Sequence, residues 1–208
     1  MSAHQWAAFF IAAIGMNLLP GSDTFYVIAR TVSQGSRAGL ASAAGIFSGC
    51  LFHITAAAIG LSLLVLKFAF LYQTIKYAGA AYLIYLGISL LRERSASYDL
   101  PKPPPAAVWK VYRQGALTNA LNPKVALFFL AFLPQFVDRH NPHAGLQIAM
   151  LGAIFAAMGS TYLAILSLAV GKMSGLVQSP RFAAVQRRVS ATVLIALGVR
   201  VAVPEIPS

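Results

Sequence analysis

Acidic side chains are nearly missing from this sequence: 5 Asp and Glu stand against 16 Lys and Arg in 208 residues. Charge of either sign is scarce, at 10% where soluble domains carry about 25%. That excludes an ordinary water-facing surface. The single cysteine, Cys50, leaves no intramolecular disulfide to form. Enzyme signatures are lacking too. There is no HExxH, no Cys or His pair at metal spacing and no glycine-rich phosphate loop. With so few acids, no Ser-His-acid set can be assembled. We therefore expect neither an enzyme nor a bound metal or cofactor.

What the chain has instead is apolar length, 58% of its residues being hydrophobic. About 20 residues cross a bilayer as a helix. The apolar runs predict six spans, near 4–30, 38–66, 69–91, 113–137, 145–171 and 183–203. No Lys or Arg precedes the first run, so it is expected to persist as a helix and not to be a cleaved signal. A net charge of +11 in a soluble protein would point to nucleic acid. Here the basic residues fall between apolar runs, where they orient helices and meet anionic lipid. Eleven of the 16 lie in connections one, three and five, including Arg30, Arg37, Arg92, Arg94, Lys110 and Arg113. That bias puts those connections in the cytoplasm and both termini outside an inner membrane.

Two spans are interrupted, the first at Pro20-Gly21 and the fourth at Asn122-Pro123. A proline removes a backbone donor and clashes with the preceding turn, so each helix must kink or unwind. The halves also match in sequence. Asn17-Leu18-Leu19-Pro20 is echoed by Asn119-Ala120-Leu121-Asn122-Pro123, and Leu83-Ile84-Tyr85-Leu86-Gly87 by Leu194-Ile195-Ala196-Leu197-Gly198. The expected fold is all-α, six transmembrane helices as two inverted three-helix repeats. Residues 1–92 and 113–208 form the repeats, and a proline-rich cytoplasmic linker, 93–112, joins them. Inverted repeats with broken helices bind substrate near the bilayer midplane.

Asp23 lies one turn past the first break, at membrane depth, and Lys124 at the matching place of the fourth span. A charge there is costly and should face the bundle interior. The two are expected to meet, either to serve transport or only to fix the halves in register. In the working mechanism, a proton on Asp23 weakens its hold on Lys124 and lets the halves rock. The breaks free amide donors for a carboxylate and carbonyls for an ammonium group, the two ends of an amino acid. Asn17, Ser22, Asn119 and Asn122 add hydrogen-bonding groups at that level, for substrate or for the backbone freed beside Pro20, Gly21 and Pro123. His53 is a candidate proton relay or a packing residue. Gly45 and Gly49 permit close helix packing, within the fold or in a homodimer.

Four motifs together resemble the LysE-type translocators, in particular the threonine/homoserine exporter-like branch. They are Leu19 to Thr24 with Gln34 to Leu40; Lys76 to Gly87; Asn119 to Lys124; and Phe128-Phe129 with Pro134-Gln135-Phe136. The resemblance implies a six-helix exporter of amino acids or related metabolites, driven by protons. The family's usual Pro-Gly-Pro reads Pro20-Gly21-Ser22 here. The rival readings are a structural or regulatory membrane protein and a metal-cation transporter; the latter would want several acids or thiolates together. Small neutral amino acids are the preferred substrates, since no anionic pocket for a basic side chain is visible.

Overall fold

The computed structural model describes residues 1–67, 69–92, 103–137, 143–172 and 180–202. These form eight α-helices, with no strand among the described residues. The predicted linker falls largely outside them, but its end does not follow expectation. Residues 103–107 have no regular secondary structure and the next helix begins at Val108, five residues ahead of the predicted start.

Helix α1 (Ala3–Leu18) opens with a capping box, Ser2 Oγ accepting from Gln5 N and Gln5 Oε1 from Ser2 N. It stops two residues before Pro20, and α2 (Ser22–Gln34) restarts at once from extended Gly21. Gly35, at φ 82°, is the left-handed residue that turns α2 into α3 (Ser36–Lys67). After α4 (Ala69–Arg92) come α5 (Val108–Ala120) and α6 (Pro123–Leu127), broken at Leu121-Asn122. From α6 the chain widens into one π turn, Phe128–Phe132, then tightens into a 3₁₀ turn, Leu133–Phe136, that holds Pro134. The halves of this broken helix meet at 45°. Helices α7 (Ala144–Lys172) and α8 (Pro180–Ala202) complete the chain.

Among the described residues, two helices are long and apolar enough to cross a membrane alone: α3 over Ser36–Gly60 and α7 over Ala144–Gly171. At 1.5 Å per residue, 25 residues reach about 37 Å, beyond a hydrocarbon core of about 30 Å. The broken Val108–Phe136 pair adds a third crossing if taken as one span.

Small residues set the close contacts. Gly45 lies against the carbonyl of Tyr112, and Gly49 against that of Ala116, so the glycine pair joins α3 to α5 within one chain. Helices α4 and α8 meet reciprocally. A Cβ on Gly87 would touch Ile195 and the Ala191 carbonyl; one on Gly198 would touch Ile84 and the Ala80 carbonyl. Ala80 and Ala191, Ile84 and Ile195, Gly87 and Gly198 are each 111 residues apart. The main apolar core runs through Phe9, Met16, Phe128, Phe129, Phe132 and Phe155.

Because Gly49 seats backbone on backbone, Gly49→Leu should overpack the α3–α5 contact. A loss of about 1–3 kcal/mol is expected, read as a lower melting temperature in detergent. An unchanged melting curve would show that the helices do not meet there.

Candidate functional site

The two helix breaks lie side by side, and three of the four half-helix ends find a hydrogen-bond partner, while the fourth carries an acid in its first turn. The carbonyl end of α1 is capped by Lys124, whose Nζ donates to Met16 O at 3.2 Å and Leu19 O at 3.0 Å. A cation suits that end of a helix. Gly21 sits beside it, its Cβ position 3.5 Å from Nζ, an ordinary contact distance. The carbonyl end of α5 is held by His53, whose Nε2 lies 2.9 Å from Asn119 O and whose ring stacks on Phe129. At the amide end of α6, Asn122 Oδ1 accepts from Lys124 N at 3.0 Å, with Pro123 in the first turn. The amide end of α2 carries Asp23 in its first turn, where an anion is favoured.

Asp23 and Lys124 do not pair, contrary to expectation. The freed α1 carbonyls take the ammonium, and Asp23 Oδ2 instead accepts from Asn119 Nδ2 at 2.8 Å. Both charged groups still line one cavity of about 30 Å³, with Asn17, Asn119, Cys50 and Ser160, and with apolar walls from Ile46, Val125, Phe155 and Leu163. That is room for about one water. Asp23, Asn119 and Asn122 are buried, yet Asp23 Oδ1, Asn119 Oδ1 and Asn122 Nδ2 have no hydrogen-bond partner. Such orphaned groups are rare in a finished interior.

Among the other sequence candidates, Asn17 reaches the cavity and donates to Phe155 O at 3.2 Å, beside Gly159. Pro20 is buried in the first break. Ser22 and Pro123 are exposed and line no part of the cavity, and His53 touches it only through Asn119.

The sequence model of the LysE type translocators matches residues 14–204. The chain belongs to this family. It is similar to the uncharacterized membrane protein YrhP of Bacillus subtilis, at 29% identity over 95% of this chain and 98% of the relative. A leucine efflux protein of Salmonella typhimurium is 28% identical over 77% of this chain and 76% of its own. An uncharacterized membrane protein of Vibrio cholerae is 34% identical over 69% and 70%. No solved structure matches. As a LysE-type translocator the chain is a multi-pass membrane protein of a transporter family.

A second polar cluster in this translocator escaped the sequence reading. Arg30, counted there among loop cations, lies within α2 and is 6% exposed. Its guanidinium donates to Gln34 Oε1 at 3.0 Å, Pro104 O at 3.1 Å and Gln114 Oε1 at 2.7 Å, and stands over the Tyr26 ring. Tyr26 Oη donates to Val111 O, and Gln34 Nε2 to Ala106 O. Every partner is neutral. The cluster ties the far end of α2 to residues 104–114, a sequence separation no local pattern reveals.

Lys124→Met would leave Met16 O and Leu19 O uncapped in a dry interior, at about 1–3 kcal/mol for each orphaned group. We expect a clear fall in thermal stability that Lys124→Arg restores in part. Wild-type stability of the methionine variant would mean that the ammonium is not the cap.

Proposed function

We propose that this translocator exports small neutral amino acids from the cell in exchange for protons, by alternating access to the cavity between the two helix breaks. The observation that carries this reading is the pairing of unlike, incompletely satisfied groups in one small space. Asp23 Oδ1 and Asn119 Oδ1 offer acceptors for an ammonium group. Lys124 and the first amides of α2, ahead of the initial Phe25 N to Gly21 O bond, offer positive charge and donors for a carboxylate. Ile46, Val125, Phe155 and Leu163 would receive an apolar side chain, in keeping with the leucine efflux relative.

At about 30 Å³ the cavity admits no amino acid, so this conformation is occluded and must open to work. Towards one end it is sealed by stacked rings, Phe128 on Phe155 at 4.2 Å, with Phe132, Phe136 and Phe9 beyond. Towards the other, the Arg30 cluster, about two turns along α2 from Asp23, would close the path. The reciprocal α4–α8 contacts, and the seating of Asn17 on Gly159 as Asn119 sits on Gly49, support two inverted three-helix repeats that rock about this site. With the basic bias of the connections, the Arg30 end is cytoplasmic and both termini lie outside the inner membrane. The two carbonyls on Lys124 favour a second reading of that one residue, as a structural cap alone, which leaves substrate and proton to Asp23 and Asn119.

Proteoliposomes loaded with unlabelled amino acids test the substrate. Wild type should take up labelled leucine or a similar neutral amino acid by counterflow, and acidic and basic ones poorly. Asp23→Asn, folded, should lose at least about tenfold of the transport driven by an imposed pH gradient, roughly 1.4 kcal/mol or more of coupling. No counterflow from folded wild type across the panel removes the export reading; gradient-driven transport retained by Asp23→Asn removes the role of the carboxylate.

The single thiol reports the gate, because Cys50 lines the cavity and is buried. Arg30→Ala should raise Cys50 labelling by a membrane-impermeant maleimide several-fold in inside-out vesicles, and not in right-side-out ones. The opposite sidedness would reverse the orientation; no change in either would take the cluster out of gating.

A further inference from the structure

A groove of about 800 Å³ runs along the outer surface between α3 and α5, sharing no lining residue with the transport cavity and only Gln114 with the Arg30 cluster. Small residues make its floor, Gly49 from α3 and Ala116 and Ala120 from α5. Its mouth is different in kind. Lys110 and Arg113 stand there exposed, beside Trp109 and Tyr112, whose rings stack at 5.1 Å and 12°. Tyr112 Oη is fixed 2.6 Å from Ser48 Oγ, which anchors the ring pair to α3. Deeper along α5 the wall is apolar and open, with Leu117 59% and Phe52 61% exposed.

The order of chemistry along the groove matches an amphiphile. Trp109 and Leu117 are eight residues apart on one helix, about 12 Å of rise. Cations and an amphipathic indole at one end, aliphatic and aromatic surface one headgroup depth below, is the arrangement met at a membrane interface. The charge has one sign only. No groove residue is acidic, and Asp23, buried elsewhere, is the one acidic side chain among the described residues. A basic mouth over an apolar groove selects an anionic headgroup with its chain attached.

We propose that the α3–α5 groove is a binding site for one anionic phospholipid, its phosphate on Lys110 and Arg113 and an acyl chain along Phe52 and Leu117. Occupancy would brace the α5 helix that leads to Asn119 and the second break.

Native mass spectrometry of the full chain in mild detergent, titrated with phosphatidylglycerol or with phosphatidylcholine of identical chains, tests the site. Wild type should retain phosphatidylglycerol about tenfold more tightly. Lys110→Gln with Arg113→Gln should erase that preference, and Leu117→Trp should weaken retention of both lipids by filling the groove. Arg188→Gln, an exposed cation on α8, should change neither. Equal retention of the two lipids by wild type overturns the proposal without recourse to any variant. So does an unchanged preference in the double variant, or a homodimer that the groove variants dissociate, which would give the surface to a second copy.

Discussion

The ammonium of Lys124 on the carbonyls of Met16 and Leu19 is the contact on which the rest of the site depends. Away from water, an uncapped helix end leaves backbone groups that cost several kcal/mol each, so a broken helix persists only where something replaces the lost bonds. Here the replacement comes from the opposite half of the chain, more than a hundred residues away. Asn122 and Pro123 start α6 at the point from which the Lys124 side chain reaches the end of α1. One interaction thus closes the first break and ties it to the start of the second. Asp23 is released from pairing with lysine and left to Asn119.

The two clusters proposed to close the cavity follow from different physics. The phenylalanine stack is non-directional; it gains by excluding water and yields when rigid elements separate together. The Arg30 cluster is directional and built from neutral acceptors, two glutamine oxygens and a backbone carbonyl. A carboxylate partner would have made a buried ion pair that is hard to open, since parting it strands two charges. Amide and carbonyl partners hold less strongly and are readily exchanged for water. In the proposed cycle, a guanidinium with one nitrogen, Nε, still unpartnered would suit a contact that opens and closes.

How much of this was legible beforehand depended on whether a feature is local. Proline acts on its own turn, so both breaks could be placed from Pro20 and Pro123. The glycines of α3 promised a close approach, but only the fold could say that α5 and not a second copy fills it. Asp23 and Lys124 were recognisable as costly charges at matched positions. Their pairing was expected because side chains have letters and freed carbonyls do not; in the structure the carbonyls won. Ser22 looked like a cavity ligand by adjacency, yet the helical turn that buries Asp23 turns its neighbour outward. Arg30 was mistaken for a loop cation because the α2 boundary was drawn five residues short of Gly35, and because Gln114, its partner, is 84 residues away.

The scarcity of acids, the first thing visible in the sequence, acquires a meaning from Asn119. In the proposed exchange, a proton on Asp23 would turn one of its two acceptor oxygens into a donor. A donor-only group such as lysine could serve only the oxygen left as acceptor. An amide can serve either, since turning it by half a revolution presents Oδ1 in place of Nδ2 to a new hydroxyl. Oδ1 is without a partner in the present arrangement, and the backbone carbonyl of the same residue is fixed by His53, so the side chain can turn while its helix end stays put. Under the proposed exchange, Asn119 would therefore satisfy Asp23 as carboxylate or as acid, and the proton would come and go without dismantling the break. What changes is the charge presented to the cavity: an anion that attracts an ammonium group, or a neutral acid that does not. With no other acid described at that depth, this one exchange would set the negative side of the field a substrate meets, across the same cavity from the Lys124 ammonium.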